Sequence, residues 1–255
     1  MENLFDLSGK VAVITGSTKG IGKAIAEQMA LHGADVVISS RKEDACQRVA
    51  EEINLALDGK GGRAVPVPCH IGHKDQLENL VAETRAQLGK IDILVCNAGI
   101  NPFYGSMLDI PDSAFEKIMD SNVKSNHWLC QLVIPEMVER KDGVILIVSS
   151  VGGLNGSAVL GTYGISKAAD MALARNIANE FGPHNIRANA IAPGLIRTDF
   201  AKALWENPET LKTTTANASL RRIGEPEEIG GVAVFLASRA GSFMTGQTIV
   251  IDGGR

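Results

Sequence analysis

The sequence predicts an α/β fold in which a doubly wound, seven-stranded parallel sheet carries helices on both faces. Seven short runs rich in β-branched residues recur along the chain, separated by segments with apolar residues at three- and four-residue spacing. The runs are almost continuously apolar, which is typical of strands covered on both faces. Strands that alternate with helices indicate repeated βαβ units. The predicted strands span residues 11–15, 35–39, 64–68, 91–95, 144–148, 187–191 and 248–251.

The domain organisation follows from length and from the segments between the strands. A chain of 255 residues has the length of one α/β domain. No Pro- or Ser-rich linker, low-complexity tract or internal repeat marks a boundary, so we expect a single domain over residues 1–255. Amphipathic patterns predict helices over 21–31, 77–88 and 163–181. The irregular segment 199–219 precedes a helix signalled by Glu225-Pro226-Glu227-Glu228, and its length outside the sheet predicts a substrate lid.

Composition excludes several classes of partner. The chain is 45% hydrophobic and 21% charged, with a net charge of -4. It has no basic footprint for nucleic acid, and no apolar run reaches the ~20 residues of a bilayer span. Residues 1–9 lack the charged, apolar and small-residue order of a signal peptide. We therefore expect a cytoplasmic protein with neither nucleic acid nor membrane as a partner.

The cysteines and histidines do not form a recognisable site. The four cysteines, at positions 46, 69, 96 and 130, are far apart and include no CxxC pair. Their spacing does not suit a metal ion, and we expect reduced thiols in the core and no metal. The five histidines lie in unrelated contexts and none accompanies a nucleophile motif.

A glycine-rich turn follows the first predicted strand. That strand runs into Gly16-Ser17-Thr18-Lys19-Gly20-Ile21-Gly22 and then into a helix. The glycines allow a tight turn and close approach of a pyrophosphate, while the helix start offers free N–H groups and a positive dipole end. A plain glycine turn is the alternative, but the strand-turn-helix context favours dinucleotide binding. No Gly-Lys-Ser/Thr follows, which disfavours a P-loop.

The spacing Gly16-x-x-x-Gly20-x-Gly22 resembles that of the short-chain dehydrogenase/reductase family. The resemblance continues in order along the chain, through Asn97-Ala98-Gly99, Asn122, Ser150, Tyr163-x-x-x-Lys167 and Pro193-Gly194. It implies a Rossmann fold and a nicotinamide cofactor. Within the family, the chain is similar to the branch of NADPH-dependent carbonyl and retinal reductases. That similarity lies in Ser39-Ser40-Arg41-Lys42, Cys69-His70-Ile71-Gly72, Asn101-Pro102-Phe103-Tyr104-Gly105 and Arg221-Arg222-Ile223-Gly224-Glu225-Pro226-Glu227.

Tyr163 and Lys167 are the candidate acid–base pair. Hydride transfer to a carbonyl leaves an alkoxide, so a positioned acid must supply a proton. Tyr163 and Lys167 are four residues apart and share one helix face, and an ammonium stabilises a nearby phenolate. They follow a glycine-rich loop at a strand's carboxyl end, where open α/β sheets bind ligands. A surface Tyr/Lys pair is the alternative interpretation.

The resemblance implies roles for further residues. Ser150, rather than its neighbour Ser149, holds and polarises the substrate oxygen. Asn122 anchors a water that links Lys167 to solvent. Relatives carry an aspartate beside the adenine ring where this chain has His70, so contact there passes to the backbone of His70 and Ile71. In the segment Pro193-Gly194-Leu195-Ile196-Arg197-Thr198, the amides of Ile196 and Thr198 face the nicotinamide.

The end of the second strand predicts which cofactor is used. An acidic residue there would bind the ribose hydroxyl of NAD and repel the 2′-phosphate of NADP. This chain has Ser40 at that position, followed by Arg41, and Lys19 lies in the glycine turn. Two cations from separate loops can converge on one phosphate. We therefore expect NADP(H) in preference to NAD(H).

Together these observations predict an NADP-dependent oxidoreductase that moves a hydride between nicotinamide and a ketone, aldehyde or secondary alcohol, with Tyr163 as general acid/base. Two alternatives remain open: a 3-oxoacyl-thioester (acyl carrier protein) reductase, whose motifs are nearly the same, and a non-catalytic cofactor-binding regulatory protein. Residues 232–237 and 248–255 resemble interface elements of the family, so we expect a homotetramer.

Overall fold

The computed structural model describes residues 3–254, apart from the side chain of Thr210. Within this range the strands form one sheet in the order β3-β2-β1-β4-β5-β6-β7, and every neighbouring pair is parallel. The predicted fold class and strand number are confirmed. The strands are β1 Val11–Thr15, β2 Asp35–Ser39, β3 Ala64–Pro66, β4 Ile93–Cys96, β5 Gly143–Val148, β6 Ile186–Pro193 and β7 Thr248–Ile251.

Two strand boundaries differ from the predicted ones for physical reasons. β3 ends at Pro66 rather than at residue 68, because the prolines at 66 and 68 have no N–H to donate to a neighbouring strand. β4 begins at Ile93 rather than at residue 91. The Asp92 carboxylate accepts the backbone N–H of Val11 at 2.8 Å, while the Asp92 backbone still bonds to Val11 and to Val144 at 2.9 Å, so the regular strand begins one residue after this side-chain contact.

Helices cover both faces of the sheet. The core on one face contains residues of α1, α2 and α9, and the core on the other contains residues of α3, α5 and α6. α9 begins at Pro226, where Glu225 and Glu228 form a capping box, as the sequence signal predicts. The helices are α1 Gly20–Leu31, α2 Glu43–Leu57, α3 Lys74–Leu88, α4 Asp112–Met119, α5 Ser125–Arg140, α6 Gly161–Phe181, α7 Lys202–Trp205, α8 Pro208–Thr215 and α9 Pro226–Ala237.

The apolar run expected at a subunit interface is used mainly within the chain. Ala233, Val234, Leu236 and Ala237 of α9 are buried in the core, where α9 packs on α1. Because an α-helix has 3.6 residues per turn, most residues of this run face the core and only the remaining ones face outwards. Among the described helices, none combines the length and apolar character needed to span a bilayer.

The strand order places one edge of the sheet at a switch in connectivity. β1 lies between β2 and β4, so the chain leaves β1 towards one side of the sheet and returns on the other side at β4. Ligands of open α/β sheets bind at the carboxyl ends of strands beside such a switch. The loops that follow β1, β4, β5 and β6 meet at this edge.

Candidate active site

The glycine turn after β1 has the backbone that its sequence requires. Gly16 and Gly20 adopt left-handed φ angles of 67° and 55°. A Cβ atom at Gly22 would collide with the Gly16 carbonyl and with the Asn97 side chain. At the start of α1, the N-cap residue Lys19 provides no side-chain hydrogen bond to the helix. The first N–H groups of α1 are thus available to an anion.

The remaining residues of the glycine turn range from a buried serine that supports the turn to an exposed lysine. Ser17 is fully buried, and its hydroxyl donates to the Ile14 carbonyl at 2.7 Å while accepting the Ser39 N–H at 2.8 Å. Its side chain therefore braces the turn against β2. Thr18 and Ile21 are half-buried, whereas the exposed Lys19 forms an ion pair of 3.1 Å with Asp199.

Ser40 and Arg41 lie at the end of β2, as predicted. Ser40 is half-buried, and both its N–H and its hydroxyl contact the Cys46 sulfur. The side chain of Arg41 is exposed and lies near His70. Burial lowers the pKa of His70, and the charges of His73 and Arg41 lower it further.

His70 and Ile71 are held by the loop after β3. The backbone N–H of His70 donates to Gln76 at 2.8 Å, and its ring Nδ1 accepts the Gly72 N–H at 3.1 Å. Ile71 is half-buried against the core beneath α3 and α5. The His70 ring is therefore oriented by its own loop.

Asn97 and Ala98 tie the loop after β4 to the glycine turn. The Asn97 side chain donates to the carbonyls of Thr15 and Gly16 at 2.8 and 3.2 Å. The backbone N–H groups of Asn97 and Ala98 both donate to the Thr15 hydroxyl. Thr15 was not predicted as a site residue; its signal was a hydroxyl at the last position of an otherwise apolar strand.

Asn122 lies in a π-helical turn between two α-helices. This turn, Asp120–Lys124, joins α4 to α5. Asn122 is fully buried, and its amide forms two hydrogen bonds with the backbone of Ile100, at 2.8 and 3.0 Å, and one with Ser166 at 3.1 Å. The side chain thereby fixes the loop that contains Gly99.

Ser150 and Tyr163 border the same small space at the carboxyl end of β5. The Ser150 hydroxyl accepts the Gly152 N–H at 3.0 Å, so its own hydrogen remains available to a ligand. A Cβ atom at Gly152 would lie 3.4 Å from Ser150 Oγ and 3.8 Å from the Tyr163 ring. The adjacent Ser149 instead donates to the Lys167 carbonyl from a buried position.

Lys167 lies below Tyr163 on α6 with its ammonium enclosed. Its side chain is 5% exposed, and Nζ lies 5.9 Å from the centre of the Tyr163 ring. Nζ donates to the Val148 carbonyl at 2.9 Å and to Asp170 at 3.0 Å. A Cβ atom at Gly99 would lie 3.5 Å from Nζ and 3.4 Å from the Asn122 side chain. The structure thus brings Asn122, Ser150, Tyr163 and Lys167 to one edge.

The segment after β6 reaches the glycine turn from the opposite side. Pro193 ends β6, and Gly194 packs so closely on β7 that a Cβ atom would lie 2.7 Å from Asp252. Ile196 is buried and pairs with Gly224. A Cβ atom at Gly20 would lie 3.1 Å from the Thr198 methyl group, so the two predicted cofactor segments are in contact.

An apolar pocket extends from Tyr163 towards the loop after β4. Its lining is uncharged, and its one amide side chain belongs to Asn101, whose Oδ1 is buried without a hydrogen-bond partner among the described residues. Phe200, at the start of the segment 199–219, lies 6.1 Å from Tyr163 between ring centres. The lining includes Phe103, Met107, Ile110, Ile118, Val159 and Leu160. Among residues 3–254, no group of three or more His, Cys, Asp or Glu side chains is arranged to hold a metal.

The fold defines a class, the single-domain α/β proteins with a Rossmann-type parallel sheet. The family model described as "Enoyl-(Acyl carrier protein) reductase" matches residues 16–255. The bovine protein "Dehydrogenase/reductase SDR family member 4" is 43% identical over 97% of this chain and 88% of its own length.

Solved structures agree with these matches. A 7α-hydroxysteroid dehydrogenase complexed with NADH and 7-oxo glycochenodeoxycholic acid is 39% identical, with a TM-score of 0.93 over 100% of this chain and 98% of the other. A short-chain type dehydrogenase/reductase from Mycobacterium marinum is 40% identical, with a TM-score of 0.89 over 98% of this chain and 96% of the other. The chain belongs to the short-chain dehydrogenase/reductase family. It is an oxidoreductase of the class that binds a nicotinamide cofactor and acts on small molecules.

Proposed function

We propose that this protein is an NADP(H)-dependent oxidoreductase that reduces ketones or aldehydes, or oxidises secondary alcohols, with Tyr163 as general acid/base. The observation that carries the proposal is the meeting of Ser150, Tyr163 and the Lys167 ammonium around one space beside the glycine turn. A hydroxyl donor, a phenol and a cation at one point suit a carbonyl oxygen that gains negative charge.

The cofactor site is supported by backbone shape. A Cβ atom at Gly22 would have no room beside Gly16 and Asn97, and one at Gly16 only a tight fit against Ala98, so the turn packs closely on the loop after β4. This packing would keep the start of α1 in place beside a pyrophosphate. The N–H groups at the start of α1 would hold the phosphates, while the segment from Pro193 to Thr198 would face the nicotinamide. The bound nicotinamide supplies or accepts the hydride.

The protein's own residues would manage the proton. In the reducing direction Ser150 donates a hydrogen bond to the carbonyl oxygen, and Tyr163 gives its phenolic proton to the same oxygen as charge develops. The Lys167 ammonium stabilises the phenolate that remains. Asn122 keeps the Gly99 loop in place beside Lys167, and its role in anchoring a water stays a prediction.

The preference for NADP(H) is supported by charge at the end of β2. No carboxylate stands at Ser40 to repel a 2′-phosphate, and Arg41 is exposed beside it. Lys19 is paired with Asp199, yet both side chains are 69% exposed, and such pairs contribute little to stability. A phosphate can replace the carboxylate as the partner of Lys19.

The substrate pocket favours an apolar molecule with one additional polar group. Its volume of about 10 Å³ holds no more than a water, so the uncharged residues form a wall against which a hydrocarbon or aromatic body would lie. Asn101 is the exception in this wall, because its buried Oδ1 has no hydrogen-bond partner among residues 3–254, and a hydroxyl on the substrate would satisfy it. We also assign segment 199–219 the role of a lid, since Phe200 already lies against Tyr163.

A 3-oxoacyl-thioester reductase is the second candidate, favoured by the description of the matching family model. Docking of an acidic carrier protein needs free basic side chains near the pocket. Arg197, Lys202 and Arg222, on the lid and its flanks, each form an ion pair with a glutamate. Lys212 and Arg221, on the same segment and its flank, are exposed as well, so charge near the pocket does not separate the two candidates and the assay below does. The intact set of Asn122, Ser150, Tyr163 and Lys167 favours an enzyme over a non-catalytic regulatory protein.

The assembly and location are further parts of the proposal. β7 is an edge strand of the sheet, and its Val250 is exposed. In a closed homotetramer, β7 would pack against the β7 strand of another subunit and be covered. Light scattering should then give a multiple of the 27.0 kDa chain mass, and a monomer would reject the assembly. Cell fractionation should recover the protein in the cytoplasm.

A steady-state assay tests the proposed function. NADPH and NADH oxidation would be measured with aromatic ketones, diketones, retinal and acetoacetyl thioesters. The proposal expects turnover of an apolar ketone or aldehyde, with NADPH favoured. Turnover confined to the thioesters would select the second candidate. No turnover of any carbonyl, by protein that binds NADPH, would favour the regulatory protein.

A further inference from the structure

Asp170 is a fully buried acid that the proposed mechanism does not use. It lies on α6 three residues after Lys167 and is 0% exposed. One carboxylate oxygen lies 3.0 Å from Lys167 Nζ, and the other accepts the Asn126 amide at 2.9 Å. Burying a carboxylate is costly unless it is paired and hydrogen-bonded, so this position is tolerated only with these partners.

The contacts of Lys167 show what Asp170 does to it. An ammonium has three donors, and two of them point to the Val148 carbonyl and to Asp170. The Val148 carbonyl is at the end of β5 and Asp170 is on α6, so the two acceptors hold Nζ between the sheet and the helix. The third donor remains for a ligand or for the phenolic oxygen.

We infer that Asp170 is a positioning residue: its carboxylate anchors the Lys167 ammonium and offsets part of the positive charge that acts on Tyr163. This inference rests on the proposed function of Tyr163 and Lys167 as the proton-handling pair. Its consequence is that the Tyr163 phenolate forms at a higher pH than an unpaired ammonium would allow.

The carboxylate is not placed to relay protons. Asp170 has no exposed surface, and its second oxygen is bound to Asn126. That amide also donates to the Asn122 carbonyl at 2.6 Å, and an amide group is a poor carrier of protons at neutral pH. Asp170 therefore acts through its charge and its hydrogen bonds.

The titratable groups around Lys167 have pKa values that follow from burial and from their contacts with one another. Burial lowers the pKa of the Lys167 ammonium, but the charge of Asp170 and its hydrogen bond, together with the charge of the Tyr163 phenolate, outweigh burial and leave that pKa above its usual value. Burial raises the pKa of Asp170, against the effects of Lys167 and Asn126. A hydrogen bond with Cys130 together with burial raises the pKa of Cys96, so this β4 thiol stays neutral.

A spectroscopic titration tests the inference without turnover. The chain has two tyrosines, so Tyr104→Phe leaves Tyr163 as the only source of phenolate absorbance. In this background, Asp170→Asn should lower the midpoint of the phenolate signal by about one pH unit while Lys167 stays charged, which ¹⁵N NMR of the labelled lysine side chain monitors. A Lys167 that loses its charge once Asp170 is neutral, as its burial favours, would instead raise the midpoint and overturn the inference. Asp170→Glu, which restores the charge, should return the midpoint towards its original value. Asp92→Asn, which neutralises a buried carboxylate at the opposite edge of the sheet, should leave it unchanged.

Two further readouts keep the test decisive. Asp170→Ser makes the same charge change with a smaller side chain, and its midpoint is interpreted in the same way if Asp170→Asn folds poorly. The pH profile of alcohol oxidation should move to lower pH by the same amount as the titration. An unchanged or raised midpoint in either folded variant would overturn the inference. Failure of the parent protein to turn over any carbonyl would instead reject the proposed function, because the titration needs no substrate.

Discussion

Two buried carboxylates at opposite edges of the sheet have different surroundings. Asp92, at the amino edge and 3% exposed, accepts the Val11 N–H and lies near Lys90 and Arg140, whose side chains are 40% and 31% exposed. Asp170, at the carboxyl edge, has one cationic partner that is itself enclosed. A buried ion pair is weak evidence of a stabilising role. The backbone contact of Asp92 indicates a role in holding strands, whereas Asp170 acts on a lysine of the candidate site.

The largest expected effect is at the carboxyl edge. Tyr163→Phe removes the proton donor but keeps the ring, so kcat should fall ~10² to 10⁴-fold while cofactor binding is retained. Steady-state kinetics and fluorescence titration with NADPH measure the two quantities. Tyr104→Phe is the matched control, because that ring is 65% exposed and outside the pocket lining. Near-native kcat in Tyr163→Phe would contradict the assigned mechanism.

At the amino edge the expected loss is of stability. Asp92→Asn removes the charge that faces Lys90 and Arg140 and weakens the bond to Val11, so the free energy of unfolding should fall by about 2 kcal/mol. Urea unfolding measures this change, and kcat should stay within about twofold of the parent. A large loss of kcat with unchanged stability would reverse the roles assigned to the two edges.

A smaller effect is expected on cofactor choice. The parent protein should prefer NADPH over NADH by at least tenfold in kcat/KM, or ~1.4 kcal/mol. Lys19→Ala combined with Arg41→Ala should erase most of this preference by raising KM for NADPH. Lys42→Ala removes an adjacent exposed cation and serves as the control. Equal use of both cofactors by the parent would show that the two cations do not bind the 2′-phosphate.

The smallest effect concerns the start of α9. Hydrogen bonds from Arg222 and the Glu225 backbone hold the pKa of Glu228 at about 2, below the ordinary value of 4.5 for a glutamate. Because this folded-state pKa is depressed, the contribution of Glu228 to stability is present above pH 4.5 and is lost as the pH falls towards 2. Glu228→Gln should therefore lower Tm by no more than about 3 °C near neutral pH, and by less at pH 3. Calorimetry that found a constant difference across this range would exclude an ionic contribution.

Some of these features could be predicted from sequence because their signals are local. The strand periodicity, the glycine turn and the capping box of α9 each lie within a few neighbouring residues. Lys167 and Asp170 lie within one turn of α6, but the burial of this pair and its contact with Asn126, 44 residues away, depend on how α5 packs on α6. The hydrogen bond from the Val11 N–H to the Asp92 carboxylate joins residues 81 positions apart. The buried position of Asn101 Oδ1 likewise depends on the folded structure, because the loops after β4 and β5 line the pocket together.

Isotopic labelling tests whether a hydride passes directly from the nicotinamide to a carbonyl carbon at the Tyr163 edge. NADPH carrying deuterium at the transferred position of C4 would be incubated with a ketone that the parent protein turns over, and the alcohol would be analysed by mass spectrometry. The account predicts that the alcohol gains one deuterium at the former carbonyl carbon. It also predicts that Tyr163→Phe forms the same labelled product more slowly, by the factor given above. An unlabelled alcohol, or label acquired from solvent deuterium at that carbon, would contradict it.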